Sequence, residues 1–240
     1  LTLQIEHVAF DFIDDVKRLR DPSAILDRLR ITSASLGYPY FILTGLPLPN
    51  QRLEPFVMLN AWPEAWYERY TAEEHFHHDR VGQAAMRTTE PYRWSDLAIG
   101  AEDRSALRVM DEAQSCGLVD GFIVPMFSSD SWQQACAFAT DRPAQSSDRE
   151  LAALHVMSVF AAGAARAAFQ PLRDLPELTT RERECLHWAA AGKSAWETSQ
   201  ILGIGLETVR TYRRTLRTKL DVATMAQAVA EGCRLGIIAS

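Results

Sequence analysis

The sequence predicts an α+β protein in two parts. The first is an N-terminal α-β-α sandwich built on an antiparallel sheet, and the second is a C-terminal all-α domain of four helices. Three observations carry this reading. Helical periodicity at both ends of the first 170 residues brackets a run of β-rich apolar segments, and residues 178–240 read as helices in succession. The charge also divides along the same line. The whole chain carries -6, yet residues 171–240 hold 10 Lys+Arg against 8 Asp+Glu, leaving 15 against 23 for the rest. A chain of 240 residues is long enough for two cores, and 47% apolar with 23% charged residues argues against disorder.

Leu1 to Leu19 places Ile5, Val8, Phe12, Val16 and Leu19 at helical spacing. Asp21-Pro22 then reads as a cap and first turn for a second helix through Ile25, Leu26, Leu29 and Leu36. Tyr38–Leu46 and Phe56–Leu59 are candidate strands, with Asn50 and flanking prolines as the turn. Pro63 opens a short aromatic helix, and Glu102–Ser115 is helical until Cys116-Gly117 stops it. Val119–Phe127 and Trp132–Ala139 pair around Ser128–Ser131, and a long helix follows from about Ser147 to Phe169. Its small residues, Ala161 to Ala168, permit close helix contact, either within the domain or across a dimer seam. Residues 171–177 form the linker.

The charged opening segment lacks a signal peptide's apolar core, and no run of roughly 20 apolar residues predicts a membrane span. Four scattered cysteines, with no Cys-x-x-Cys, are expected as free thiols in a reducing cytoplasm. His75, His77 and His78 beside Asp79 could suggest metal or acid–base chemistry. Without a second ligand cluster they read as solvated loop imidazoles, and neither an enzyme nor a metal site is expected.

In the C-terminal part, Thr179 caps a helix that Gly192 ends, and Ser194 with Glu197 forms a capping box for the next. Gly203 supplies a tight turn into a third helix, Leu206–Leu220, and a fourth runs from Ala223 to Leu235. On the third, Val209, Tyr212, Leu216 and Leu220 share one face. Glu207, Arg210, Thr211, Arg214 and Thr218 share the opposite one. An exposed Arg/Thr face on the second helix of a helix-turn-helix is what reading the DNA major groove requires. Arg213 and Arg217, flanking the core stripe, and Lys193 are candidates for phosphate contacts, as is Thr211. Double-stranded DNA is the expected partner, bound by a homodimer because one helix reads few base pairs.

The run Leu178-Thr179, Arg181-Glu182, Glu184-Cys185-Leu186, Trp188-Ala189-Ala190 and Gly192-Lys193-Ser194 resembles the LuxR-type helix-turn-helix domain. Glu197, Ile201-Leu202, Ile204, Thr208-Val209 and Lys219-Leu220 continue the resemblance. Gly205 departs from it, standing where the family usually caps the recognition helix with Ser or Thr. Upstream, Trp62, Trp66 and Tyr70 recur at one-turn spacing and can line one helical face. Trp66, Tyr70, Asp79, Trp94-Ser95, Gly121 and Pro125 together resemble the autoinducer-binding domain of LuxR-type quorum-sensing regulators.

The resemblance implies an N-acyl, or aroyl, homoserine lactone as ligand. It implies that Trp66 donates to the lactone carbonyl and that Asp79 accepts the ligand amide N–H. Trp62 would serve the acyl carbonyl, while Tyr70 and Trp94 border the ring. Ile42, Thr44, Leu46, Ile123 and Ala135 are candidate acyl walls. Two departures stand out: Arg80 replaces the family's Pro after Asp79, and Ala137 falls where Ser or Thr is usual. No cofactor beyond the small-molecule ligand is expected. A regulator of the same fold that answers a different ligand, or none, is the other reading.

Overall fold

The computed structural model describes residues 2–47, 51–127, 133–169, 176–235 and 237–238. These form two compact units, one before residue 170 and one after 175. The first contains α1 (Thr2–Val16), α2 (Pro22–Ser35), β1 (Tyr40–Gly45), β2 (Val57–Asn60), α3 (Glu64–Ala72), α4 (Arg80–Ala84) and β3 (Tyr92–Arg93). It continues with α5 (Arg104–Ser115), β4 (Asp120–Phe127), β5 (Gln133–Thr140) and α6 (Asp148–Phe169). The short elements α4 and β3 were not foreseen, because segments of five and two residues are too short to show a period. The turns expected at Asn50 and Ser128–Ser131, and most of the linker, lie outside the described residues.

Asp21 starts α2 as the sequence predicts: its carboxylate accepts from the Ala24 amide at 2.9 Å, and Pro22 occupies the first turn. The sheet runs β2-β1-β5-β4-β3 with every neighbouring pair antiparallel. Its two faces differ in side-chain size. Phe41, Leu43, Phe122, Val124, Cys136 and Phe138 point to one face, where they pack with Phe12, Leu29, Leu154 and Met157 of α1, α2 and α6. The alternate residues Ile42, Ile123, Ala135, Ala137 and Ala139 point to the other, beneath α3, α4 and α5.

By length and apolarity α6 meets the requirement for a membrane span, contrary to the sequence reading. Its apolar residues have a use inside the fold: Leu151, Leu154, Met157, Ala161 and Ala165 are buried in the core against the sheet and its companion helices. Part of the Ala-rich stretch is therefore taken up by packing within this unit.

The second unit is all-helical: α7 (Thr180–Ala190), α8 (Ala195–Leu202), α9 (Leu206–Lys219) and α10 (Met225–Arg234). Three of the four helices open with reciprocal capping boxes, Thr179/Glu182, Ser194/Glu197 and Thr224/Gln227. Only α9 begins without a side-chain cap, at Gly205. The α8–α9 turn depends on Gly203 in the left-handed region (φ 62), which a side chain would strain. Cys185, Leu186, Val209, Leu216 and Ala228 form the small core. All four cysteines of the chain are free.

One charged pair lies beside this core. Glu182 is buried and accepts from Lys219 Nζ and the Thr179 amide, at 2.8 and 2.7 Å. Burial pushes its carboxyl up, but the bonds from Lys219 and Thr179 outweigh that and hold it below its ordinary value. A depressed carboxyl contributes stability above the unfolded pKa, and that contribution is lost as pH falls through the folded value. Glu182→Gln should therefore cost about 1–2 kcal/mol at neutral pH, the Lys219 end being open to solvent screening. Denaturant unfolding should show the gap from wild type narrowing below about pH 4; an equal gap at both pH values would contradict the pair's role.

Candidate ligand cavity and nucleic-acid interface

The size difference between the sheet faces creates a cavity. Across the sheet, Ile42 pairs with Ala137, Thr44 with Ala135, and Ile123 with Ala137. Two alanines in the central strand β5 thus leave the floor low where larger residues would fill it. The space between the sheet and its covering helices is about 620 Å³ when the solvent at its mouth is included. Trp62, Trp66, Tyr70, Asp79 and Trp94 form its polar and aromatic end, and Ile42, Thr44, Leu46, Ile123, Ala135 and Ala137 its sheet side. Every residue named from the sequence as a ligand candidate faces this one cavity.

Sequence reasoning missed Leu53, Phe76, Val81, Val109, Met110 and Ala113, which complete the wall. Val109, Met110 and Ala113 come from α5, which the sequence showed as a helix. Which cavity that helix would cover it did not show.

The aromatic end is built on α3. Trp66 and Tyr70 are one turn apart with ring centroids at 5.3 Å, and Trp62 meets Tyr70 edge-on at 5.2 Å. Asp79 caps α4: the Gly82 amide donates to Oδ1 at 3.0 Å, and the Tyr70 hydroxyl donates to Oδ2 at 2.9 Å. The carboxylate therefore has two donors inside the protein, and it does not depend on a ligand for its only partner. Each oxygen keeps a lone pair for a further donor. Burial raises the Asp79 carboxyl, opposed by the Gly82 and Tyr70 bonds; burial also carries the Tyr70 phenol well above its ordinary range. The indole N–H groups of Trp62 and Trp94, both lining the cavity, are buried without a hydrogen-bond partner.

Arg80, the departure from the family's Pro, donates from Nε to Asp103 Oδ2 at 2.6 Å, joining the starts of α4 and α5. Within the histidine run His78 is exposed and His77 half-buried, but His75 departs from the expected solvated imidazole. His75 is buried in a short 3-10 turn, stacks on Trp66 at 5.7 Å and bonds Glu112 at 3.0 Å. Ring contacts with Trp66 and Tyr70 and the bond to Glu112 hold it inside, which the local sequence pattern does not reveal. Glu73, His75 and Glu112 could bring ligand atoms to one cation, but Arg108 already bonds both carboxylates.

In the helical unit, Glu207, Arg210, Thr211, Arg214 and Thr218 are all exposed on α9 while Val209, Leu216 and Leu220 are buried. Arg210 pairs with Glu207 one turn earlier, and Lys193 lies 3.6 Å from Glu197. Arg213 and Arg217 are engaged within the unit: Arg213 Nη2 donates to the Lys193 carbonyl at 2.7 Å and to Thr198 Oγ1, and Arg217 donates to the Ala223 carbonyl at 3.0 Å. Their position beside the core stripe, read from the sequence as a phosphate-facing flank, brings both guanidiniums to neighbouring carbonyls.

Gly121 sits where no side chain fits. A Cβ there would lie 2.3 Å from Trp94 Cε2 and 2.4 Å from the Phe138 carbonyl oxygen. Gly121→Ala should displace the Trp94 indole and destabilise the protein by about 1–3 kcal/mol. Near-UV circular dichroism and denaturant unfolding would register both, and an unperturbed Trp94 signal would refute the close packing.

Comparison with known proteins now joins the two sites. The family described as autoinducer binding domain matches residues 21–165, and the bacterial regulatory protein, luxR family, matches residues 176–231. The HTH-type quorum sensing-dependent transcriptional regulator RpaR of Rhodopseudomonas palustris is 36% identical over 233 residues, covering 96% of this chain and 94% of that protein. The transcriptional activator BjaR1 of Bradyrhizobium diazoefficiens is 32% identical, covering 96% of each. In fold, the crystal structure of Escherichia coli SdiA aligns with a TM-score of 0.74 at 20% identity, over 97% of this chain and 98% of that one. The chain belongs to the LuxR family of quorum-sensing transcription regulators, proteins that join an autoinducer-binding domain to a DNA-binding helix-turn-helix and are not enzymes.

Proposed function

We propose that the cavity takes an N-acyl or aroyl homoserine lactone and that the protein acts in the cytoplasm as a homodimer on double-stranded DNA. The observation that carries the ligand class is the donor and acceptor set at one end of an otherwise apolar cavity. Asp79 offers acceptor capacity for an amide N–H, and Trp62 has a buried, unpartnered N–H for a carbonyl. In this reading Trp66 serves the lactone carbonyl, Trp62 the acyl carbonyl, and Tyr70 and Trp94 border the ring. Ile42, Thr44, Leu46, Ile123, Ala135 and Ala137 receive the acyl group. With Ala137 in place of a hydroxyl residue, the acyl carbonyl has one fewer side-chain partner.

A non-lactone ligand is the second reading. It is favoured by the solved complex of SdiA with octanoyl-rac-glycerol, a protein of the same fold at 18% identity. The proposed division is a ligand domain over residues 1–170, a linker over 171–177 and a DNA domain over 178–240. Exposed Phe10, Ile31, Val156 and Val159 on α1, α2 and α6 support a dimer seam on the helical side of the sheet. On DNA, Glu207, Arg210, Thr211 and Arg214 are proposed to face base edges, with Lys193 toward the backbone; Arg213 and Arg217, read from the sequence for that same role, instead hold α9 to its neighbours.

Thermal unfolding with homoserine lactones from butanoyl to dodecanoyl, aroyl lactones and monoacylglycerols separates the readings. At a hundredfold excess over Kd the true class should stabilise by about 2.7 kcal/mol. Asp79→Asn should weaken lactone binding about tenfold or more. Stabilisation by monoacylglycerol and by no lactone would select the second reading. For DNA, Arg210→Ala should cost about 1–3 kcal/mol at the specific operator, whereas Lys193→Ala should weaken all sequences alike. Gel-shift titrations on operator and scrambled duplexes test this, and unchanged operator affinity in Arg210→Ala and Arg214→Ala would overturn the recognition face.

A further inference from the structure

Immediately behind the aromatic wall of the cavity lies a group to which the lactone reading gives no role. His75 is 4% exposed. Its ring stacks on the Trp66 indole with an interplanar angle of 30° at 5.7 Å, and it meets the Tyr70 ring edge-on at 5.9 Å. Its Nε2 lies 3.0 Å from Glu112 Oε2 on α5. Its backbone carbonyl accepts from the Asp79 amide at 2.8 Å. One residue thus touches three of the side chains or backbones that form the polar end of the cavity. The turn that presents it is entered through Glu74 in the left-handed region (φ 52), a conformation that a non-glycine residue holds only at a cost.

We propose that His75, anchored by Glu112, is a positioning residue for the ligand site: it fixes the plane of the Trp66 indole and the edge of Tyr70, and through its backbone the amide of Asp79. The physical argument is one of orientation. An indole wedged only between apolar neighbours can tilt, and a tilt of its ring moves the N–H off any acceptor. A stacked imidazole that is itself tied to a carboxylate on another helix removes that freedom. The anchor is in turn restrained, because Arg108 bonds Glu112 and also Glu73 at the end of α3. The arrangement ties α3, the 3-10 turn and α5 together around the polar end. Arg108 and His75 together hold the Glu112 carboxyl below its ordinary range despite the burial that works to raise it.

The imidazole ring lies against the Trp66 indole itself, so the contact can be read from Trp66 without any ligand.

The experiment compares wild type with Trp66→Phe, His75→Phe, His75→Ala and Glu112→Gln. In ligand-free protein, the near-ultraviolet circular dichroism assigned to Trp66, taken as each protein minus its Trp66→Phe counterpart, should be strong in wild type and lost in His75→Ala. It should weaken in Glu112→Gln, where the ring loses its anchor, and survive in part in His75→Phe, which keeps a stacked ring. An unchanged Trp66 signal in His75→Ala, in protein whose unfolding remains cooperative, would overturn the proposal.

The second arm uses the lactone that best stabilises wild type in thermal unfolding. His75→Ala should weaken it about tenfold, and His75→Phe, which keeps the stacked ring, should recover part of that loss. Equal affinity in wild type and His75→Ala, in variants whose unfolding remains cooperative, would also overturn it. The inference rests on the lactone reading only for the second arm. If no lactone binds wild type, that reading fails, and the ligand-free circular dichroism of Trp66 still decides the role of His75.

Discussion

The ligand-binding half of this protein depends on a sheet whose two faces carry side chains of different size. Strand β5 alternates Ala135, Ala137 and Ala139 on one side with Cys136 and Phe138 on the other. Strand β1 does the same with Ile42 and Thr44 against Phe41 and Leu43. Large residues on one face require close packing, and α1, α2 and α6 supply it. Small residues on the other leave room beneath α3, α4 and α5, and that room is the cavity. Apolar side chains facing that space lack partner atoms on one side, so an occupant that filled it would gain contacts with them.

The polar end follows from a second constraint: a carboxylate placed among aromatics must be held by donors. Asp79 meets this by capping α4 and by accepting the Tyr70 hydroxyl, and both bonds leave acceptor capacity over. Gly82 and Gly121 are needed for space, the first beside the Asp79 carboxylate and the second beneath Trp94. Arg80, unusual for the family, gives its charge to the Asp103 cap of α5 and so joins the two helices that cover the cavity. The structure thus accounts for this departure from the family. Ala137 is accounted for by the low floor it helps to make.

The DNA-binding half solves a different problem, that of a core made by short helices with little to bury. Three capping boxes and the buried Glu182–Lys219 pair satisfy helix ends that so small a core cannot cover. Arg213 reaches the carbonyl of Lys193 and so locks α9 to the start of α8. What remains exposed on α9 is the Arg210, Thr211, Arg214 face, free of such duties.

Much of this was legible in the residues. Periodicity located the long helices and the long strands, because each repeats its buried position several times. Cap chemistry found the starts of α2, α7 and α8, because a Ser, Thr or Asp must lie within one turn of the amides it satisfies. The aromatic and acidic ligand candidates, named through their resemblance to an autoinducer-binding domain, all face one cavity. The sequence could not show that α5 closes that cavity, that Tyr70 and Gly82 already hold Asp79, or that His75 is buried behind Trp66 and tied to Glu112, 37 residues away. Nor could it show that Arg213 and Arg217 turn inward. Local pattern determines which face of each element is apolar and how each helix begins, since those depend on neighbours within a turn or a pleat. Which side chains meet across elements depends on register and packing between segments far apart in the chain, and only the tertiary structure decides that.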